Sequence, residues 1–356
     1  MTYQLPEKLK QLQGYQPGTI CDTKLSANES FISIPDEIRR DIAKQIWELE
    51  YNRYPDPLAK KLCRKFAEFF SVPAELVTAA NGSDELLFLL TTCFMNAGDK
   101  LMLVEPDFEM YRVYAEMAGV ETVVYEKDAH LRISTETLVA QAREQQVQAL
   151  VLSNPCNPSS LLESREDILR IVQELENVLI IVDEAYMDFA DESVLQDVEL
   201  YSNLIVLKTL SKAFGLAALR LGFAIANKTI TNALRAVKSP YNVNTASQII
   251  GTIVLDYPDF IHSCIRTIKS SRNDLYRRVR DLQKEIPDIQ SVQNSSANFV
   301  YVQVINAADV HAFLQEKSVA VRLLGEYLRI SAGTKAENDA VLRTLEEYWE
   351  EKVYSV

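Results

Sequence analysis

Short apolar segments alternate with amphipathic helical segments through most of the chain, and this alternation constrains the fold more than any other feature. The predicted strands are Leu101–Val104, Glu121–Tyr125, Ala149–Leu152, Val178–Val182 and Leu204–Leu207. Between them, segments such as Met110–Ala118, Thr135–Arg143 and Glu166–Leu175 carry apolar residues at helical spacing. Strands that alternate with helices predict an α/β fold with a mainly parallel sheet covered on both faces. Ligands of such sheets bind at the carboxyl ends of the strands.

The pattern changes after Asn244, and the length of 356 residues suggests two domains at about 150 residues each. A long helical stretch broken by Pro258 is followed by predicted strands and helices that form a smaller α+β unit. The predicted strands are Asn298–Val304 and Ala320–Leu323, and the predicted helices are Ala307–Gln315 and Asn338–Trp349. Nearer the N-terminus, Asp56 and Pro57 predict a helix that has Asp56 as its N-cap and Pro57 as its first residue.

The charge balance argues against several classes of partner. There are 37 basic and 50 acidic residues, which gives a net charge of −13. Such a surface repels nucleic-acid phosphates and anionic membranes, and no apolar run approaches the roughly 20 residues of a membrane helix. Neither the five cysteines nor the three histidines form a metal-binding pattern. Because Met1–Lys10 lacks an apolar signal segment, we expect a cytoplasmic protein with no metal, nucleic-acid or membrane partner.

The ten glycines exclude the usual phosphate-binding loops of α/β proteins. No two are separated by a single residue and none precedes a lysine, so neither the dinucleotide fingerprint nor the P-loop is present. The segment Leu179–Glu184 resembles a Walker B strand, but without a phosphate loop a nucleotide-binding module is disfavoured.

Polar residues instead follow each of several apolar strands. They are Asn154–Pro158, Asp183–Tyr186 and Thr209–Gly215 with Arg220, and Asn81–Asp84 opens a helix whose free N–H groups attract an anion. Each segment alone is typical of a turn or a helix cap. Together they match pyridoxal 5'-phosphate, whose aldehyde needs a lysine, whose pyridine nitrogen needs a carboxylate, and whose phosphate needs amides, hydroxyls and an arginine.

Through these segments the chain resembles a fold-type I pyridoxal-phosphate-dependent aminotransferase of class I/II, most similar to the histidinol-phosphate aminotransferase group. The resemblance covers nearly the whole chain in the family's order. The further matching segments are Leu25–Glu29, Tyr54–Pro57, Pro240–Asn244, Asn298–Phe299, Val321–Arg322 and Leu328–Thr334. It implies a large α/β/α domain at 46–262, a small domain at 263–356, and an N-terminal arm at 1–45 that includes part of the small domain.

The resemblance also implies a role for each site residue. Lys212 forms the Schiff base, Asp183 pairs with the pyridinium nitrogen, and Asn157 and Tyr186 hydrogen-bond the ring oxygen. The phosphate is held by Ser83, Asp84, Thr209, Ser211 and Arg220, while Phe108, where the family usually has tyrosine, stacks on the ring. Tyr54 reaches the cofactor phosphate of a neighbouring subunit, which implies a homodimer. Arg329 binds the substrate carboxylate or, in histidinol phosphate, the phosphate together with Arg322, which otherwise binds the far end of the substrate. Asn157 is also expected to bind the substrate.

Departures from the family pattern keep the substrate open. Ser159 and Ser160 stand where the family usually has threonine and glycine, and Asn28-Glu29 is followed by Ser30-Phe31 where the group usually has a proline. The expected reaction moves an amino group from a small phosphorylated amine or a dicarboxylate-type amino substrate, histidinol phosphate first, to a 2-oxo acid. Phosphothreonine-type decarboxylation and an aromatic amino donor remain alternatives. A surface ion pair with Glu326 is the alternative interpretation of Arg322.

Overall fold

The computed structural model describes residues 3–5, 10 and 20–354. Its helices are α1 (Asp36–Trp47), α2 (Lys60–Phe70), α3 (Ser83–Cys93), α4 (Met110–Ala118), α5 (Thr135–Gln145), α6 (Arg165–Glu174), α7 (Lys228–Val237), α8 (Thr245–Leu255), α9 (Pro258–Glu285), α10 (Ala307–Glu316) and α11 (Lys335–Tyr354). Its strands are β1 (Thr23–Lys24), β2 (Val77–Asn81), β3 (Lys100–Glu105), β4 (Glu121–Glu126), β5 (Ala149–Ser153), β6 (Leu179–Asp183), β7 (Leu204–Thr209), β8 (Leu221–Ala226), β9 (Ile289–Val292), β10 (Phe299–Val304), β11 (Val319–Ala320), β12 (Arg322–Leu324) and β13 (Tyr327–Ser331).

A seven-stranded sheet in the order β2-β8-β7-β6-β5-β3-β4 forms the larger layer. Strands β3 to β7 run parallel, and β8 is antiparallel to both of its neighbours. Successive side chains of β6 enter different cores: Ile180 and Val182 pack on one face and Ile181 on the other. A strand buried on both faces is apolar at every position, which explains the continuous runs in the sequence. The predicted α/β fold with a mainly parallel sheet is confirmed.

A second, antiparallel sheet has the order β12-β13-β10-β9 and its own apolar core. Helices α9, α10 and α11 contribute Leu275, Val310 and Leu345 to that core. The short strand β1 pairs in parallel with β11, so the N-terminal segment joins the C-terminal part of the fold. The division into 1–45, 46–262 and 263–356 stays a prediction. The boundary between residues 262 and 263 falls within α9.

Two local predictions were wrong. Helix α2 begins at Lys60, not at Pro57, because the Asp56 carboxylate accepts hydrogen bonds from the amides of Leu58 (3.0 Å) and Lys60 (2.8 Å). These bonds stabilise a separate turn that precedes the helix, with Ala59 at a φ of 46°. Similarly, Ala320–Leu323 is not one strand, since β11 pairs with β1 and β12 pairs with β13.

Candidate active site

The predicted polar residues converge at the carboxyl edge of the large sheet. Asp183 is the last residue of β6 and Thr209 the last residue of β7, while Asn157 follows β5 by four residues. In the parallel register Ser153 lies beside Asp183, and Asp183 lies beside Leu207. Because neighbouring parallel strands end at the same edge, residues far apart in sequence meet there.

Asp183 is a buried carboxylate with neutral donors around it. The Tyr111 hydroxyl donates to Oδ2 at 3.0 Å and the Ala185 amide donates to Oδ1 at 3.1 Å. Burial raises the pKa of Asp183 to about 7, against an ordinary value of 3.8. Among the ion pairs of the described residues, none involves Asp183. A buried carboxylate in this state is suited to a cationic ligand group, which would favour its charged form.

The N-terminus of α3 forms a cradle with the β7–β8 connection. Gly222 on β8 lies so close that a Cβ there would be 2.2 Å from the Ser83 amide nitrogen. Gly82 has a φ of +87°, and a Cβ on it would lie 2.8 Å from a guanidinium nitrogen of Arg220. That guanidinium donates to the Asp84 carboxylate at 2.9 Å. The two glycines therefore bring free helix amides and an arginine together, which is a suitable arrangement for a phosphate.

Two hydroxyls stand beside this cradle. The Thr209 hydroxyl donates to the Ser211 hydroxyl at 2.9 Å and accepts from the Ser211 amide at 3.1 Å. Strand β7 pairs Thr209 with Gly222 of β8, so these hydroxyls follow the strand that lies against the cradle.

Lys212 lies next to Tyr186 and the N-terminal segment. Its Nζ donates to the Ala27 carbonyl at 3.1 Å and is 5.8 Å from the centre of the Tyr186 ring. The Tyr186 hydroxyl accepts from Asn28 Nδ2 at 2.9 Å, which leaves the hydroxyl proton available to a ligand oxygen. Asn28 is itself held by the Ser331 hydroxyl of β13.

The two candidate substrate arginines lie opposite each other on adjacent antiparallel strands, Arg322 on β12 and Arg329 on β13. Arg329 donates to Asn157 Oδ1 and to the Ser26 carbonyl, and its Nε is buried without a hydrogen-bond partner. Burial lowers the pKa of Arg329, and the neighbouring Arg322 charge contributes to that decrease. Like charges at directly opposed cross-strand positions repel each other, so an anion that contacts both guanidinium groups would be stabilised there.

The remaining predicted residues lie as follows. The Phe108 ring contacts the Tyr111 ring edge-on, with 5.6 Å between centroids. Tyr54 is 81% exposed and stacks on Tyr241 with 4.6 Å between centroids. The Arg322 guanidinium lies 3.9 Å from the Glu109 carboxylate. The alternative interpretation expected an ion pair with Glu326 instead.

Sequence reasoning missed two contacts of the site. Tyr111, in the first turn of α4, lies three positions after Phe108, and that spacing could have indicated that their rings are close. Asn28 was recognised as part of a matching segment, but nothing in the sequence indicated that its amide donates to Tyr186.

The described residues fit pyridoxal 5'-phosphate chemically. Asp183 is a buried acid without a cationic partner, the glycines leave helix amides accessible beside Arg220, and Lys212 lies over the tyrosine predicted to face the ring. Each feature corresponds to a different part of the cofactor: the pyridine nitrogen, the phosphate and the aldehyde.

Comparisons with known proteins agree with this geometry. The sequence profile of the family "Aminotransferase class I and II" matches residues 22–345. The histidinol-phosphate aminotransferase of Clostridium novyi is 36% identical over 327 residues, which are 90% of each chain. The crystal structure of the Sinorhizobium meliloti histidinol-phosphate aminotransferase in complex with pyridoxal-5'-phosphate superposes with a TM-score of 0.86 at 20% identity, covering 98% of both chains. L-threonine-O-3-phosphate decarboxylase from Porphyromonas gingivalis superposes with a TM-score of 0.79 at 22% identity, covering 92% of this chain and 99% of its own.

The chain belongs to the aminotransferase class I and II family. The predicted family resemblance, the fold-type I architecture and the transaminase class are therefore confirmed. The prediction of pyridoxal 5'-phosphate as the cofactor is confirmed at the level of the family. The roles of individual residues stay predictions.

Proposed function

We propose that this protein transfers the amino group of histidinol phosphate to a 2-oxo acid with the help of pyridoxal 5'-phosphate. The observation that supports this substrate is the cross-strand pair Arg322 and Arg329 beside Asn157. Each planar guanidinium can bind one phosphate or carboxylate group through two hydrogen bonds. A small amine that carries a phosphate would relieve the repulsion between the two arginines.

When bound, pyridoxal phosphate supplies an aldehyde and a ring that withdraws electrons from the reacting carbon. In this proposal Lys212 would hold the aldehyde and, when its amine is free, would move the proton of the reacting carbon. Asp183 would hold the proton on the ring nitrogen. Asn157 Oδ1 already accepts from Arg329, so its Nδ2 is the group that donates to the ring oxygen together with the Tyr186 hydroxyl. Phe108 covers one ring face. The phosphate is held by Ser83, Asp84, Thr209, Ser211 and Arg220.

Curated relatives above 30% identity favour the transamination of histidinol phosphate over the alternatives. The decarboxylase shares the fold at 22% identity, which does not extend its reaction to this chain.

Arg322→Ala provides the test. We expect the KM for histidinol phosphate to rise at least about tenfold, because one charge-assisted contact is lost, while the KM for unphosphorylated histidinol changes little. Glutamate formed from 2-oxoglutarate measures the reaction. Arg277→Ala is the matched control, since Arg277 forms an exposed ion pair with Asp274 on α9. Equal losses with both donors would contradict the assignment, and carbon dioxide released from threonine phosphate would favour the decarboxylase.

We also propose a homodimer with composite active sites. Trp47, Tyr51 and Tyr54 are each at least 80% exposed and lie within eight positions of one another. Large exposed aromatic groups of this kind are typical of protein interfaces. A mixture of Lys212→Ala and Tyr54→Ala chains tests the arrangement. A hybrid dimer has one intact site, so we expect the mixture to recover about a quarter of the parental activity. Recovery of none, or a monomer by light scattering, would contradict it.

We propose a cytoplasmic location because of the state of the cysteines. All five are free thiols, as expected in a reducing compartment. Within the described residues, no helix combines the length and the apolar character that a membrane span requires. If the protein is isolated from cells under alkylating conditions, we expect all five cysteines to be found as free thiols.

A further inference from the structure

A buried ion pair lies beneath two loops of the candidate site. Asp107 follows β3 and Lys127 follows β4, and their side chains are only 2% and 3% exposed. The Lys127 ammonium is 3.9 Å from Asp107 Oδ2. Burying two charges costs free energy that their attraction repays only when further hydrogen bonds are good, so the partners of this pair are informative.

The Asp107 carboxylate connects two residues proposed to contact the cofactor ring. Oδ1 accepts from the Phe108 amide at 2.8 Å and from the Ser153 hydroxyl, and Oδ2 accepts from the Ser153 amide at 3.0 Å. The Ser153 hydroxyl in turn accepts from the Asn157 amide at 2.9 Å. One carboxylate therefore fixes the backbone of Phe108 directly and that of Asn157 through Ser153.

Lys127 holds the same two loops from the other side. Its ammonium donates to the Pro106 carbonyl at 2.8 Å and to the Cys156 sulfur at 3.1 Å. These residues immediately precede Asp107 and Asn157. Burial raises the pKa of Asp107, and the Lys127 charge opposes that rise, so the ammonium helps keep the carboxylate in the charged form that accepts three hydrogen bonds.

We infer that Asp107 and Lys127 form a positioning pair that sets the distance between Phe108 and Asn157, and thereby the slot for the cofactor ring. The inference rests on the proposed function, which gives those two residues their contacts with the ring. Neither member of the pair touches the reacting atoms. A charged acceptor in a dry site holds backbone donors more firmly than a neutral one, which explains why the loops are joined by an ion pair.

Three variants test the inference in the full chain. Asp107→Asn removes the charge and one acceptor, Ser153→Ala removes only the link to Asn157, and Asp197→Asn is the control. Asp197 is also buried and accepts two hydrogen bonds from Arg165, which places a comparable charged carboxylate outside the network. For each variant we measure the affinity of the apo protein for pyridoxal phosphate, the induced circular dichroism of the bound cofactor, and the stability of the apo protein.

The expected results separate positioning from folding. Asp107→Asn should weaken cofactor binding about tenfold or more and reduce the induced circular dichroism, because the ring slot is no longer fixed. Ser153→Ala should act in the same direction by about threefold, since it removes the hydroxyl between Asp107 and Asn157 but leaves the carboxylate with its bonds to the Phe108 and Ser153 amides. Asp197→Asn should lower only the stability of the apo protein. If Asp107→Asn does not fold, Ser153→Ala decides the question.

Two further variants distinguish the failure of this inference from the failure of the site assignment. Phe108→Ala and Asn157→Ala should each weaken cofactor binding. If they do so while Asp107→Asn and Ser153→Ala bind with the parental affinity and circular dichroism, the positioning role is refuted. If neither Phe108→Ala nor Asn157→Ala affects binding, the proposed ring contacts themselves are wrong. A loss of binding in Asp197→Asn equal to that in Asp107→Asn would also refute the inference.

Discussion

Replacing Asp183 by asparagine should stabilise the apo protein at pH 8 and not at pH 5. Burial raises the pKa of Asp183 from an ordinary 3.8 to about 7. Between these values the native state binds a proton that the unfolded state does not, so stability is present at low pH and is lost as the pH rises through about 7. A difference of three pK units lowers the free energy of unfolding of the parent protein by about 4 kcal/mol at pH 8. Asparagine is neutral at every pH, so the variant does not have this loss.

The net gain is smaller, because the carboxylate accepts from both Tyr111 and Ala185 and an amide oxygen cannot replace both acceptors. Losing one such bond costs about 1–2 kcal/mol, so the expected gain at pH 8 is about 2–3 kcal/mol. Denaturant unfolding of the apo protein at both pH values is the assay. Asp197→Asn, which loses its Arg165 partner, should be destabilised at both. An Asp183→Asn protein that is equally or less stable than the parent at pH 8 would refute the reasoning.

Three further outcomes are expected. Borohydride reduction in the presence of pyridoxal phosphate should label Lys212, and peptide mapping that finds the label on another lysine would contradict the assignment. Tyr111→Phe should raise the pKa of Asp183 further, because the hydroxyl bond now lowers it, and cofactor titration across pH should show weaker binding near neutrality. Gly222→Ala should abolish cofactor binding, since the added Cβ would lie 2.2 Å from the Ser83 amide nitrogen; normal binding in equilibrium titration would contradict this steric argument.

The parallel part of the large sheet was predictable because its strands are buried on both faces and therefore apolar throughout. The order of polar residues at the strand ends likewise predicted which residues share the sheet edge, as Asp183 and Thr209 show. Strands β2 and β8 were not predicted. Their small residues, Ala79, Ala80 and Gly222, give a weak strand signal, and their antiparallel pairing has no local indication.

The site was harder to predict where it depends on tertiary contacts. Asp56 was read as a helix cap because local spacing cannot distinguish a cap from a preceding turn. The network from Asp107 to Asn157 depends on the contact between Asp107 and Ser153, which are 46 positions apart, so no sequence pattern indicates it. The pairing of Arg322 with Arg329 depends on the tight β12–β13 turn, which places both on facing positions of a hairpin.

The pairing of β1 with β11 has a consequence for how the protein matures. The Asp22 amide donates to the Ser318 hydroxyl across 296 positions, and β1 pairs with Val319 and Ala320. At about 5–20 residues per second, a ribosome adds the partner of β1 about 15–60 s after β1 itself. All seven strands of the large sheet are complete by Ala226, long before that moment. The nascent chain can thus form the carboxyl edge of the large sheet before the partner of β1 is made. Arg329 reaches Asn157 only among the final steps of synthesis.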